Sequence, residues 1–151
     1  MNQLLTNPIF LSGFFSWMMA QTLKVLVNLF RGKPQGFEGF FLEFLWKTGG
    51  MPSSHSAAVV ALTTAVGFIE GIGSTVFMVS LGFTLIVIRD ALGVRRASGL
   101  QARVLNNLIR EYNNETGKVL KLVKEVHGHT FPEVTVGVIL GFFIAVAFCR
   151  L

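Results

Sequence analysis

The chain has 151 residues, of which 52% are hydrophobic and only 14% charged, with 15 phenylalanines. This composition excludes an average soluble domain and points to a single domain, residues 1–151, built for a bilayer. The net charge of +5 suits either anionic lipid or nucleic acid; interleaved apolar spans favour lipid, so a membrane and no nucleic acid is expected as the partner. A single cysteine, Cys149, excludes an intramolecular disulfide, so nothing indicates an oxidising compartment.

Pro8 to Phe30 is apolar apart from Ser12, Ser16, Gln21, Thr22, Lys24 and Asn28, and its length suits one tilted crossing of a hydrocarbon core about 30 Å thick. No basic n-region precedes it and no clear cleavage site follows, so no cleavable signal peptide is expected. Arg31 to Gly36 ends this span with turn formers and positive charge. Phe37 to Trp46 is short, aromatic and carries Glu38 and Glu43, which predicts a helix lying at the interface. A second span is expected over Ser56 to Gly73 and a third over Ser74 to Ile88, joined by a tight turn around Gly71-Ile72-Gly73.

Arg89 to Arg96 then leaves the membrane as a basic loop, and Ala97 to Val126 is a polar insertion of helical period. Leu100, Val104 and Leu108 mark one face; Val119, Leu122, Val123 and Val126 mark another, and Asn113 to Gly117 divides the insertion into a cytoplasmic helical pair. The last span runs from about Pro132 to Phe148. The expected fold is therefore an all-α integral membrane protein with about four transmembrane helices, an interfacial helix and a cytoplasmic helical pair. Gly67-x-x-x-Gly71 and Gly137-x-x-x-Gly141 offer close helix contact, including between the copies of a homo-oligomer.

With four crossings, Lys24, Arg31, Lys33 and Lys47 share one side with the basic residues from Arg89 to Lys124, and only Arg150 lies opposite. The positive-inside rule then places that face in the cytoplasm of a cell membrane and both termini outside.

Three stretches with chemistry fall on this face. Gly49 to Ala57 is a glycine-led loop running into an apolar helix; Ser53 or Ser54 caps that helix, and its N–H groups and dipole favour an anion beside His55, which titrates near neutrality. Glu125 to Glu133 opens the last span and carries His127 and His129. His129 and Glu133 lie four apart, so the carboxylate can fix the imidazole's tautomer, while Thr130-x-x-Glu133 with Pro132 equally reads as a capping box. Two histidines with Asp90 and Glu133 lack a compact ligand spacing, so no metal and no other cofactor is expected.

Lys24 and Arg31, then Pro52-Ser53-Ser54-His55, then His129-x-x-x-Glu133 together resemble the three-part signature of the type 2 phosphatidic acid phosphatase and vanadium haloperoxidase superfamily. Gly-Gly-Met-Pro-Ser-Ser-His, Asp-Ala-x-Gly-Val-Arg-Arg and Gly-His-Thr-x-Pro-Glu-Val are similar to its short, divergent membrane branch, over residues 24 to 141. The resemblance implies a metal-independent, acid phosphatase-like hydrolase acting on a lipid phosphate monoester or diphosphate through a phosphohistidine. It implies His129 as nucleophile, Glu133 as its orienting carboxylate and His55 as the acid for the leaving alcohol. Lys24, Arg31, Ser53 and Ser54 would cradle the phosphate. The family's Ser-Arg pair falls at Leu122-Val123, so the remaining cation is expected from Arg89, Arg95 or Arg96, oriented by Asp90. A catalytically silent lipid-phosphate-binding scaffold or translocator of the same ancestry is the alternative.

Overall fold

The computed structural model describes residues 2–30, 50–125 and 128–150. The interfacial helix expected over Phe37 to Trp46 lies outside the described residues, as do Arg31, Lys33, Lys47 and His127. All regular elements among the described residues are helices: α1 (Asn2–Leu5), α2 (Pro8–Phe30), α3 (Ser54–Ile69), α4 (Thr75–Arg89), a π-helical turn (Asp90–Val94), α5 (Arg95–Thr116) and α6 (Phe131–Arg150).

Caps written in the sequence set the boundaries. Asn7 Oδ1 accepts the N–H groups of Ile9 and Phe10 ahead of α2, with Pro8 in the first helical position, where no N–H is required. Ser53 and Ser74 cap α3 and α4, accepting from the N–H groups of Ser56 and Phe77.

Among the described residues, three helices are long and apolar enough to cross a membrane: α2, the 42-residue run Thr75–Thr116 that contains α4, and α6. The fourth apolar helix, α3, has only 16 residues, which at about 1.5 Å per residue falls short of the hydrocarbon core. It is the central helix, packing on α2, α4 and α6, so much of its surface faces protein. The integral membrane character expected from the sequence stands.

The α3–α6 contact is built from small residues. A Cβ at Gly137 would collide with the Ser53 carbonyl and one at Gly141 with the Ala57 carbonyl, so the backbones approach closely at both points. Ala61, Ala65 and Ala145 continue the seam as fully buried residues, flanked by Ile9 and Cys149. This corrects the expectation of Gly137 and Gly141 as a seam between copies, because the chain's own α3 occupies it. Gly67 faces Phe77 of α4, while Gly71 is exposed in the turn after α3, where an added Cβ would meet nothing. α4 is held to α3 by hydroxyls: Thr63 and Thr84 Oγ1 lie 2.8 Å apart, each within reach of a carbonyl of the facing helix, Ser80 and Val59 respectively, so one hydroxyl donates to the other, which donates to its carbonyl.

Two expectations for the polar insertion are corrected. Arg89 to Arg96 is not a loop, since α4 continues through the π-helical turn into α5. No proline interrupts this stretch, and Gly93 alone does not break a helix. Nor is there a second polar helix among the described residues. Gly117, at φ +68°, ends α5 in the left-handed conformation that glycine adopts without penalty, and residues 117–125 are non-helical. Side-chain amides capture that segment instead. Asn106 donates to the Val123 carbonyl (2.9 Å) and accepts from its N–H (2.7 Å), and Asn113 makes the same pair of bonds with Leu120 (3.1 and 2.9 Å). These bonds lay the segment back along α5 and lead the chain to α6.

Candidate active site

His55 is the second residue of α3, and its position follows from the Ser53 cap. Ser53 is fully buried; its Oγ lies 2.9 Å from Ser56 Oγ and its N–H donates to the Glu133 carbonyl (3.0 Å). That last bond ties the start of α3 directly to the start of α6. A second tie, from the His129 N–H to the Ala91 carbonyl (3.1 Å), fastens the segment before α6 onto the π-helical turn. Gly128 makes this crossing possible by lying against the Arg96 backbone, where a Cβ would collide.

These ties enclose a cavity of about 240 Å³ lined by His55, Ile86, Val87, Asp90, Ala91, Arg95 and His129. His129 is almost fully buried, and its Nδ1 lies 3.2 Å from Glu133 Oε2. With the carboxylate accepting, Nδ1 carries the proton and Nε2 is left as the ring nitrogen for a ligand. The same Oε2 accepts the Thr130 N–H at 2.9 Å, so Glu133 also caps α6. One oxygen thus lies against both the imidazole and the capping N–H.

Burial is the main effect on His129 and holds its pKa below the ordinary 6.5; Glu133 pulls upward, while the charges of Lys24 and Arg95 push down further. The imidazole is therefore neutral at neutral pH, the form with an available lone pair.

Among the three arginines expected to supply a cation, only Arg95 lines the cavity. Its Nε pairs with Asp90 Oδ2 at 2.5 Å, while Arg89 and Arg96 are exposed. Lys24 is 2% exposed, donates to Gln21 Oε1 (2.9 Å) and acts on His129 through its charge rather than as a cavity wall. Ser54 is buried at the start of α3, outside the cavity lining, as is Ser53. His55, His129, Asp90 and Arg95 are thus brought together, Glu133 stands directly behind His129, and Arg31 falls outside the described residues.

Sequence reasoning missed four contributors. Gln21, one helical turn before Lys24, was legible as its neighbour. The Ala91 carbonyl and the apolar walls Ile86 and Val87 carried no signal, because a backbone acceptor and two residues of a span look like any others. Among the described residues, no group of three His, Cys, Asp or Glu side chains is placed to hold a metal ion.

The constellation offers a neutral imidazole fixed by a carboxylate, a second imidazole, and a guanidinium held by its own carboxylate. That set suits an anion flanked by two proton-handling groups.

The sequence profile described as the divergent PAP2 family matches residues 5–144. The chain is 36% identical over 153 residues to the "Uncharacterized membrane protein YuiD" of Bacillus subtilis (strain 168), a match covering 94% of each chain. No solved structure matches it. With the profile running from α1 into α6, through both histidines and the arginine turn, the chain belongs to the divergent PAP2 family.

Proposed function

We propose that the protein is a membrane lipid-phosphate phosphatase that works through a covalent phosphohistidine on His129. The observation that carries this reading is the pairing of His129 Nδ1 with Glu133 beside a cavity that His55 and Arg95 share. His129 Nε2 attacks phosphorus and the bond from phosphorus to the ester or diphosphate oxygen breaks, with His55 delivering a proton to the departing oxygen. Water then attacks the phosphohistidine and gives its proton to His55, releasing phosphate and restoring His129. Arg95, aimed by Asp90, and the buried charge of Lys24 stabilise the negative charge of the phosphoryl group in transfer.

The substrate class follows from the membrane. Ile86 and Val87, at the end of a spanning helix, form the apolar wall of the cavity, so a headgroup can enter while its chain stays in lipid. By the count of basic residues, the site faces the cytoplasm.

Phosphate release from a panel of lipid monophosphates and diphosphates in proteoliposomes tests the reading. His129→Ala should abolish phosphoenzyme and turnover together. His55→Ala should slow lipid alcohols far more than an activated aryl phosphate, whose leaving oxygen needs no proton. Binding of lipid phosphate with no turnover in the wild type would overturn hydrolysis and leave a silent binder or translocator.

A further inference from the structure

Among the described residues, the helical element on which α5 chiefly packs is the π-helical turn that leads into it. Its inner flank, with buried Ala102 and Asn106, holds the returning segment 118–125. On the other flank Leu100, Val104, Leu105 and Leu108 are 53%, 62%, 45% and 57% exposed and, with Gln101, line one shallow apolar groove. Such a stripe at helical spacing needs a cover.

The charges beside the stripe select the cover. Arg96, Arg103 and Arg110 lie on α5 and Lys118, Lys121 and Lys124 on the returning segment, all exposed. Against these, Glu111 and Glu115 lie beyond Leu108, in the last turns of α5, and Glu125 pairs loosely with Arg103 at 3.6 Å. A second copy would bring one basic rim against another, whereas anionic headgroups complement it. The helix is also continuous with a membrane-spanning one. Leu100 to Leu108 lie only about 8–20 Å along the axis from Arg95, at about 1.5 Å per residue.

We propose that α5 lies along the anionic lipid surface at the mouth of the cavity, its Leu100–Leu108 stripe in the headgroup layer and its arginines and lysines on the phosphates. That placement requires the chain to turn from crossing the bilayer to lying on it, and the π-helical turn, where the regular α-helical ladder is interrupted, is the joint assigned to it. Docking then fixes Ala91 and Arg95, which belong to or adjoin that turn, so anionic lipid raises turnover; this regulatory clause rests on the phosphatase reading.

The test uses the full chain in nanodiscs, with Cys149→Ser as background and a nitroxide at Val104→Cys or at Lys121→Cys, which is exposed on the returning segment held against the opposite flank of α5. With anionic phospholipid in the disc, the label at 104 should become accessible to oxygen and shielded from a water-soluble relaxant, and the label at 121 should stay wet. In purely zwitterionic discs, and in the R103Q/R110Q variant, the contrast should fall at least threefold. Equal wetness of the two labels in anionic discs overturns the proposal, and so does dipolar broadening between labels at 104, which would assign the stripe to a second copy. The label readout needs no turnover, so it stands or falls separately from the phosphatase reading. In an active enzyme, R103Q/R110Q should abolish the gain from anionic lipid while leaving the rate in zwitterionic discs unchanged.

Discussion

One oxygen of Glu133 accepts from both the Thr130 N–H and the His129 ring, so the residue that starts α6 also sets the tautomer of the candidate nucleophile. Replacement by glutamine keeps a capping oxygen but removes the charge that favours a proton on Nδ1. Glu133→Gln should therefore fold as the wild type and lose turnover on the order of 100-fold. Glu133→Ala should add a loss of about 1 kcal/mol from the missing cap, measurable as a lower unfolding midpoint in detergent.

The pH dependence follows from the depressed pKa of His129. The folded protein holds this imidazole neutral, while the unfolded chain takes up a proton below about 6.5. Its favourable contribution to stability is therefore fully present above 6.5 and is lost as pH falls from there toward the folded value. Phosphoenzyme formation should persist below pH 6.5 and fail at more acid pH. Because Glu133 raises the His129 pKa, Glu133→Gln should move that acid limb to still lower pH. A pH–rate profile of both forms, with phosphoenzyme trapped by acid quench, checks the direction.

The three arginines near the π-helical turn should separate cleanly. Arg95→Gln removes the guanidinium from the cavity and should reduce turnover roughly 100- to 1,000-fold. Arg95→Lys should rescue little, since a point charge does not reproduce the fork. Arg89→Gln and Arg96→Gln, at exposed positions, should stay within about twofold of wild type in zwitterionic bilayers. Turnover of one lipid phosphate by the four variants decides the assignment.

Gly141→Ala should act at a distance. The added methyl meets the Ala57 carbonyl of α3, a backbone atom that cannot move aside alone, and should cost about 1–3 kcal/mol. As α6 is displaced from α3, the Ser53–Glu133 bond lengthens and His129 shifts away from His55. Unfolding and phosphoenzyme yield, measured on the same preparation, should fall together.

What the sequence discloses here is mostly what local chemistry dictates. The bounds of α2, the Ser53 cap, the Thr130–Glu133 box and the convergence of His55 with His129 are readable because side-chain identity and helical spacing determine them. The path of 117–125 was not readable as non-helical, because its apolar spacing imitates a helix and the bonds that hold it come from Asn106 and Asn113, 17 and 7 residues away. Choosing Arg95 over Arg89 and Arg96 was equally out of reach, since the choice depends on which way each points from a turn whose geometry the sequence does not announce.

That turn has a further consequence. Residues five apart on an α-helix point about 140° away from each other, so Asp90 and Arg95 could not pair on one. In the π-helical turn the Arg95 N–H reaches the Asp90 carbonyl, and the two side chains meet as well. The segment takes up one residue more than an α-helical turn holds while keeping the helices on either side in phase. Deleting Leu92 would let the ladder close as an ordinary α-helix in which Asp90 and the arginine stand four apart and still share a face, so turnover should survive that deletion, whereas a further residue inserted there would turn everything beyond it by about 100° and carry the guanidinium out of the cavity.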